Sequence, residues 1–288
     1  MSIITIYGPS GSWKSTFPFT MPGKKFIFDL ENGTNRVTWR FKDTSQYEIW
    51  KPKPLNQEAL VQLFTLNRTN KINPLQAGKR ERYEEIVTKY IEVCSRDDIN
   101  IVVFDTGKVL WDITSESYLQ ELQEAIESRN KSIVEYNLTS KDKQRLTEQK
   151  QQLGQMEYRT PGDRMRLFYL TAKTFNKHLI MVNHERPVRR PMLNTKTGEI
   201  DSVIVPGLFE VDGFNQSERL SDWVLETKFN DNSNRDKYIV IKKSPIGPEL
   251  VGVKLSTIFK MVDGTEVRGY DYNLLDNTVK KFDRVTLV

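Results

Sequence analysis

The sequence predicts an α/β fold with a mainly parallel sheet, and three observations predict it. Short apolar runs at residues 3–7, 25–29, 99–105 and 178–184 run out into glycine or polar residues. Such runs suit strands buried on both faces, as in a parallel sheet covered by helices. Between them lie stretches with helical spacing. Tyr83, Ile86, Val87, Tyr90, Ile91 and Cys94 line one within 79–95, and Met165, Leu167, Phe168, Leu170, Ala172 and Phe175 line another within 163–177. Strands alternating with helices imply a doubly wound domain whose ligand sits beyond the carboxyl ends of the strands.

The remaining segments fill out this plan. Residues 115–158 are rich in Glu, Gln, Lys and Ser, with Leu119, Leu122, Ile126, Ile133 and Leu146 as sparse apolar anchors. They read as a helical arm, with a turn at 137–140, that is either partly solvated or in contact with a subunit or DNA. Past residue 220 the chain turns to strands at 223–229 and 238–242, joined by a polar turn at 231–234. Val262-Asp263-Gly264-Thr265 signals a further tight hairpin. The expected organisation is a core over 1–250 that carries the 115–158 arm, then a small β-rich extension over 251–288.

Bulk composition narrows the class. The 288 residues are 38% hydrophobic and 28% charged, which suits a folded chain with a well-solvated surface. No apolar run is long enough to span a bilayer, and the first eight residues lack the basic n-region of a signal peptide. A single cysteine, Cys94, rules out an internal disulfide, and with two histidines it argues against a structural zinc site. A cytoplasmic protein with no membrane partner is expected. The net charge of +5 permits a nucleic-acid partner without requiring one.

The most specific local signal is Gly8-Pro9-Ser10-Gly11-Ser12-Trp13-Lys14-Ser15-Thr16, directly after the first strand. It has the pattern of a phosphate-binding loop. Glycines let backbone N–H groups wrap a phosphate, a lysine neutralises charge, and a hydroxyl binds Mg²⁺ where a helix begins. Gly8, Gly11, Lys14 and Ser15 hold those places in register. Trp13 departs from the pattern, because it stands where glycine precedes the lysine. Either the indole turns outward and the loop still binds nucleotide, or the loop is degenerate. Pro18 limits the helix that follows.

Residues 101–106 resemble a Walker B strand that delivers Asp105 to the Mg²⁺ shell; a capping role at the next helix is the other reading. Asp29-Leu30-Glu31 closes the second run with a hydrophobic-Asp-x-Glu pattern. With that pattern the chain resembles the RecA-like P-loop ATPases, and the matched pieces follow family order from residue 3 to about 248. The resemblance implies that ATP and Mg²⁺ are the cofactors and that Glu31 activates the attacking water. Asn183 and His184 match the polar γ-phosphate sensor. Residues 186–198, with Arg186, Arg189, Arg190 and Lys196, match the mobile DNA-binding loop that follows it, although no aromatic residue lies there for base stacking; a solvated basic hairpin is the other reading. Lys242, and less securely Lys243, match lysines that reach a neighbouring subunit's γ-phosphate in rings or filaments.

The plan is similar to that of compact RecA-core ATPases encoded by many phages, some associated with recombination or single-strand annealing. The function expected is ATP binding and hydrolysis coupled to DNA, with single-stranded DNA as the partner. A non-hydrolysing DNA-binding or annealing protein, for which Trp13 argues, is the first alternative. A small-molecule or nucleotide kinase is the second.

Overall fold

A computed structural model describes residues 1–38, 40–41, 43–53, 78–135, 150–193, 200–230, 233–260 and 266–285. The expected turns at 137–140 and 262–265, the first half of the polar turn at 231–234, Leu146, Lys196 and the Ile133 side chain lie outside the described residues. The chain divides into two compact units. One comprises residues 1–51, 93–109 and 169–288, and the other residues 52–92 and 110–168.

The first unit is built on one sheet. Its strands are β1 (Ile3–Gly8), β2 (Lys25–Asp29), β3 (Tyr47–Trp50), β4 (Ile101–Asp105), β5 (His178–Leu193), β6 (Ile200–Val211), β7 (Trp223–Asn230), β8 (Ser233–Lys243) and β9 (Lys254–Leu255). The order across the sheet is β3-β2-β4-β5-β1-β7-β8-β9, with β6 paired to β5. The strands from β3 to β7 in that order pair in parallel, while β8 and β9 add antiparallel at one edge. The architecture is therefore α/β with a mainly parallel sheet, as the apolar runs predict. β5 intervenes between β1 and β4, so the strand ending at Gly8 and the strand ending at Asp105 are not neighbours.

Register sets the geometry of the site. Gly8 lies beside His184, and Asp29 lies beside Asp105, so all four align at the carboxyl edge of the sheet. Period-2 alternation divides β1 between the two faces. Ile4 and Ile6 join a large apolar cluster with Phe17, Ile27, Val103, Ile180, Leu225 and Ile241. Tyr7 packs on the other face with Val211 and Val224. Buried polar groups on this sheet are paired, as Thr5 is with Ser221 at 2.7 Å.

Short helices cap this unit: α1 (Phe17–Thr20), α2 (Asn35–Thr38) and, from their order in the chain, later pieces named below. Pro18 sits at the start of α1, which stops after four residues, the truncation expected of proline this close to the loop. Longer helices follow as α3 (Lys79–Ser95), α4 (Gly107–Glu135) and α5 (Arg159–Thr174), then the single turn α6 (Ser217–Leu220) and the terminal α7 (Tyr272–Val285).

In the second unit, helix ends and helix faces are tied by polar contacts around an aromatic centre. Gln120 accepts from the N–H groups of Lys79 and Arg80 at 2.9 and 3.0 Å, capping the start of α3. Arg164 forks onto Glu121 at 2.9 and 2.7 Å and lies over Tyr83 and Tyr118. Tyr90 stacks at a tilt on Phe168 and donates to its carbonyl at 2.6 Å. Of the expected arm anchors, Leu119 is buried, and α4 runs as one helix to Glu135.

Of the two readings of the basic segment, the hairpin is the one formed over the described residues: 186–193 continue β5 and pair antiparallel with β6 as a two-stranded ribbon. Pro187 and Pro191 are tolerated because each strand of such a ribbon has an edge where no ladder donor is needed. The terminal extension carries a helix after its strands. A small hairpin of β10 (Thr257–Lys260) and β11 (Glu266–Gly269) is followed by the 14-residue α7. Leu275 of α7 is buried in the main apolar cluster, and Leu274 and Val279 pack against it. Leu275 and Val279 lie four residues apart, on one face of the helix.

Leu275 is 3% exposed, so Leu275→Ala removes core contacts and is expected to cost about 2–4 kcal/mol. Thermal unfolding measures it. An unchanged melting temperature would show that α7 does not belong to the core.

Candidate functional site

The phosphate-binding pattern forms the tight turn that its residues predict. Gly8 has φ +148°, and a Cβ there would overlap Thr227 of β7, so only glycine lets the loop leave the strand so close to its neighbour. Gly11 and Trp13 both adopt left-handed backbone, with φ of 77° and 70°. The Ser12 hydroxyl donates to the Pro9 carbonyl at 2.7 Å and lies 2.5 Å from the Thr227 hydroxyl. Tyr270, fully buried, donates to the Ser12 carbonyl.

Trp13 thus takes the conformation that glycine ordinarily supplies at this place. Its indole packs outside the loop. It meets Phe259 edge-on with ring centres 5.9 Å apart, and a Cβ at Gly269 would overlap it. The indole therefore turns outward from the loop.

A cavity of about 300 Å³ opens in front of the loop, lined by residues 10–16 together with Glu31, Arg36, Arg40, Asp105, Thr106 and His184. Lys14 is 6% exposed, and its ammonium donates to the Pro9 carbonyl at 2.6 Å. Burial pulls its pKa down to about 8, against the opposing fields of Asp105, Glu185 and Glu31. Burial, aided by Asp29 and Glu31, pushes the Asp105 carboxyl up to about 6, while the nearby Ser15 hydroxyl favours its charged form.

Ser15 and Asp105 therefore lie close together at the cavity. Hydroxyl and carboxylate are the hard oxygen donors that Mg²⁺ accepts, and the ion ordinarily takes its remaining ligands from phosphate and water. No group of three or more His, Cys, Asp or Glu side chains among the described residues could hold a metal. The donor set fits an ion brought with a nucleotide better than a resident one.

Asp29 has a role that sequence reasoning did not assign. Fully buried, it accepts from the N–H groups of Gly33 and Thr34 at 2.9 and 3.2 Å. That clamp fixes the turn carrying Glu31 and launches α2. Glu31 accepts from the Thr106 hydroxyl at 2.8 Å, and His184 Nε2 lies 3.3 Å from its other oxygen. Thr106 was also missed, although it directly follows Asp105. Arg36 and Arg40 were missed too; their four-residue spacing after the Glu31 turn was the available signal.

Other expected residues lie elsewhere. Asn183 is 1% exposed, does not line the cavity, and donates to the Met181 carbonyl at 3.3 Å. Alternation along β5 brings His184 to the cavity in its stead. Lys242 is half-exposed on β8 and lies 3.5 Å from the buried Glu226, outside the cavity. Lys243 donates to the carbonyls of Glu218, Arg219 and Ser221, which satisfies the end of α6. Arg186 pairs with Glu210 across the ribbon at 2.9 Å, while Arg189 and Arg190 are exposed and, being successive, point to opposite faces.

The buried carboxyl gives a pH test. A folded pKa raised from 3.8 to about 6 means that ionising Asp105 costs stability as pH rises through that window, and the full cost applies above it. In nucleotide-free, Mg²⁺-free buffer at pH 7.5, Asp105→Asn is expected to stabilise the fold by up to about 3 kcal/mol. The gain should vanish near pH 4. Denaturant unfolding at both pH values measures it; a variant less stable than wild type at pH 7.5 contradicts the assignment.

A model of the AAA domain family matches residues 2–190, which include the loop, Glu31, Asp105 and His184. Among solved structures the chain is similar to a KaiC-like protein from the hyperthermophilic archaeon Pyrococcus horikoshii, at 9% identity and a TM-score of 0.40, covering 93% of this chain and 89% of that one. No curated protein matches the chain. With the family match spanning most of its length and both phosphate-site strands, the chain belongs to the AAA domain family.

Proposed function

We propose that this protein is a Mg²⁺-dependent ATPase of RecA-like type that works on DNA. The observation that carries the catalytic half is convergence: Lys14, the Ser15–Asp105 pair, and Glu31 held by Thr106 and His184 border one cavity. The loop N–H groups and Lys14 hold the triphosphate, and Ser15 and Asp105 hold Mg²⁺. The ion supplies charge neutralisation at the phosphates. Glu31 polarises the attacking water, and its two hydrogen-bond partners keep the carboxylate aimed. The outward indole of Trp13 removes the steric argument for a degenerate loop.

The DNA half rests on β5. His184 at the cavity and the exposed Arg189 and Arg190 lie on one continuous strand, so a shift at the phosphate site has a stiff route to the ribbon. β6 adds the exposed Phe209, an aromatic of the kind that stacks on bases and that the 186–198 segment lacks. Single-stranded DNA is the partner proposed. Copies packed head-to-tail as a ring or filament would present Lys242 to a neighbour's nucleotide, a role its half-exposed position leaves room for.

Steady-state hydrolysis with and without single-stranded DNA tests the proposal. DNA-stimulated turnover is expected, abolished in Lys14→Ala. Glu31→Gln should keep nucleotide binding and lose at least about a hundredfold in turnover. Arg189→Ala with Arg190→Ala should weaken DNA binding and flatten its salt dependence. Wild-type turnover in Glu31→Gln would remove Glu31 as the base, and unaltered DNA affinity in the arginine pair would remove the ribbon as the binding surface.

A further inference from the structure

The loop faces an electrostatic shortfall. A phosphate-binding loop ordinarily opens a long helix whose aligned dipoles favour the anion. Here α1 is four residues long, cut short at Pro18, so that contribution is small. Lys14 is the loop's own cation, and burial lowers its pKa. Further positive charge at the cavity comes from Arg36 in α2 and from Arg40 in the turn that continues it.

Arg40 is held in an unusual way. Its guanidinium carbon lies 4.9 Å from the centre of the Trp13 indole, and the Lys237 ammonium lies 4.8 Å from the same centre. Two cations therefore gather around one ring at the rim of the phosphate cavity. A π face attracts each of them, but they repel each other. Burial and the field of Arg40 lower the Lys237 pKa, with Asp236 opposing them, which registers that repulsion. An anion at the rim relieves it.

We infer that Arg40 binds the phosphates of the nucleotide and that the Trp13 indole is the platform that positions it there. This accounts for a tryptophan at a place that glycine fills more easily. The left-handed backbone at residue 13 directs the indole away from the loop and under Arg40. The short α1 explains why an added cation matters. Arg40 touches the ligand, whereas Trp13 acts through Arg40 and is a positioning residue. The inference rests on the nucleotide-binding part of the proposed function.

Calorimetric titration with Mg·ATP and with inorganic tripolyphosphate, alongside the melting temperature of each variant, tests it. Arg40→Ala is expected to weaken both ligands about tenfold, the scale of one charge-assisted contact, while leaving the melting temperature near that of wild type. Trp13→Gly keeps the left-handed backbone, removes the platform and should produce a similar loss. The double variant should bind no more weakly than either single variant. Should Trp13→Gly fold poorly, Trp13→Leu keeps apolar bulk without a π face and is expected to lose affinity in the same way.

Unchanged affinity in Arg40→Ala overturns the inference. Losses that add in the double variant overturn the platform role of Trp13. A loss confined to ATP and absent with tripolyphosphate overturns the phosphate contact. Binding by wild type that Lys14→Ala abolishes and Arg40→Ala leaves intact sinks this inference alone. A wild-type protein that binds neither ligand takes the proposed function down with it.

Discussion

A backbone that must point its N–H groups inward at a phosphate has to pass through left-handed conformation, and in this chain a tryptophan does so. The φ of 70° at Trp13 costs about 1–2 kcal/mol relative to ordinary backbone. Leaving a large indole in water would forgo a further gain of comparable size. Both costs are offset by covering the ring, and the terminal segment provides the cover. Phe259 meets the indole edge-on, glycine at 269 makes room for it, and Tyr270 reaches under it to the Ser12 carbonyl. The terminal hairpin and α7 are thereby part of the loop's support, and the burial of Leu275 in the same cluster as Phe17 anchors them.

The second constraint is buried charge. Lys14, Asp29 and Asp105 are all nearly inaccessible to solvent, and each is handled differently. Asp29 is stabilised by two backbone N–H groups and by Lys51 at 3.3 Å, and it serves the structure. Lys14 has a carbonyl partner and Asp105 only a nearby hydroxyl, less than a full charge requires. Both shift toward their neutral forms. That pattern is expected of a site whose proper partners are a phosphate and a divalent ion, since ligand binding restores what burial removes.

Strand order links this site to a distant surface. Because β5 lies between β1 and β4, its end at His184 emerges in the middle of the cavity rather than at a margin. The same strand then leaves the sheet and continues as the ribbon with β6. β5 is paired with β1 as far as His184 and with β6 from Glu185 on, so the strand that reaches the cavity runs hydrogen-bonded into the arginine-bearing ribbon. Asn183, one residue earlier, faces the opposite side and lies outside that route.

Much of this was legible in the sequence because the signals are local. Apolar runs ending in polar residues mark the buried parallel strands. The spacing of Gly8, Gly11, Lys14 and Ser15 marks the loop, and Pro18 marks the short helix. Local pattern also places Glu31 and Asp105 at the carboxyl edge of one sheet, Asp105 ending β4 and Glu31 lying just past the end of β2. What the sequence could not decide depends on residues far apart in the chain. Whether the indole turns outward depends on Phe259 and Gly269, nearly 250 residues away. Whether Asn183 or His184 meets the cavity depends on the register of β5 against β1. Whether residues 186–193 form a loop or a strand depends on the pairing offered by β6. Composition and periodicity record what a segment prefers alone; those three outcomes were set by what each segment met on folding.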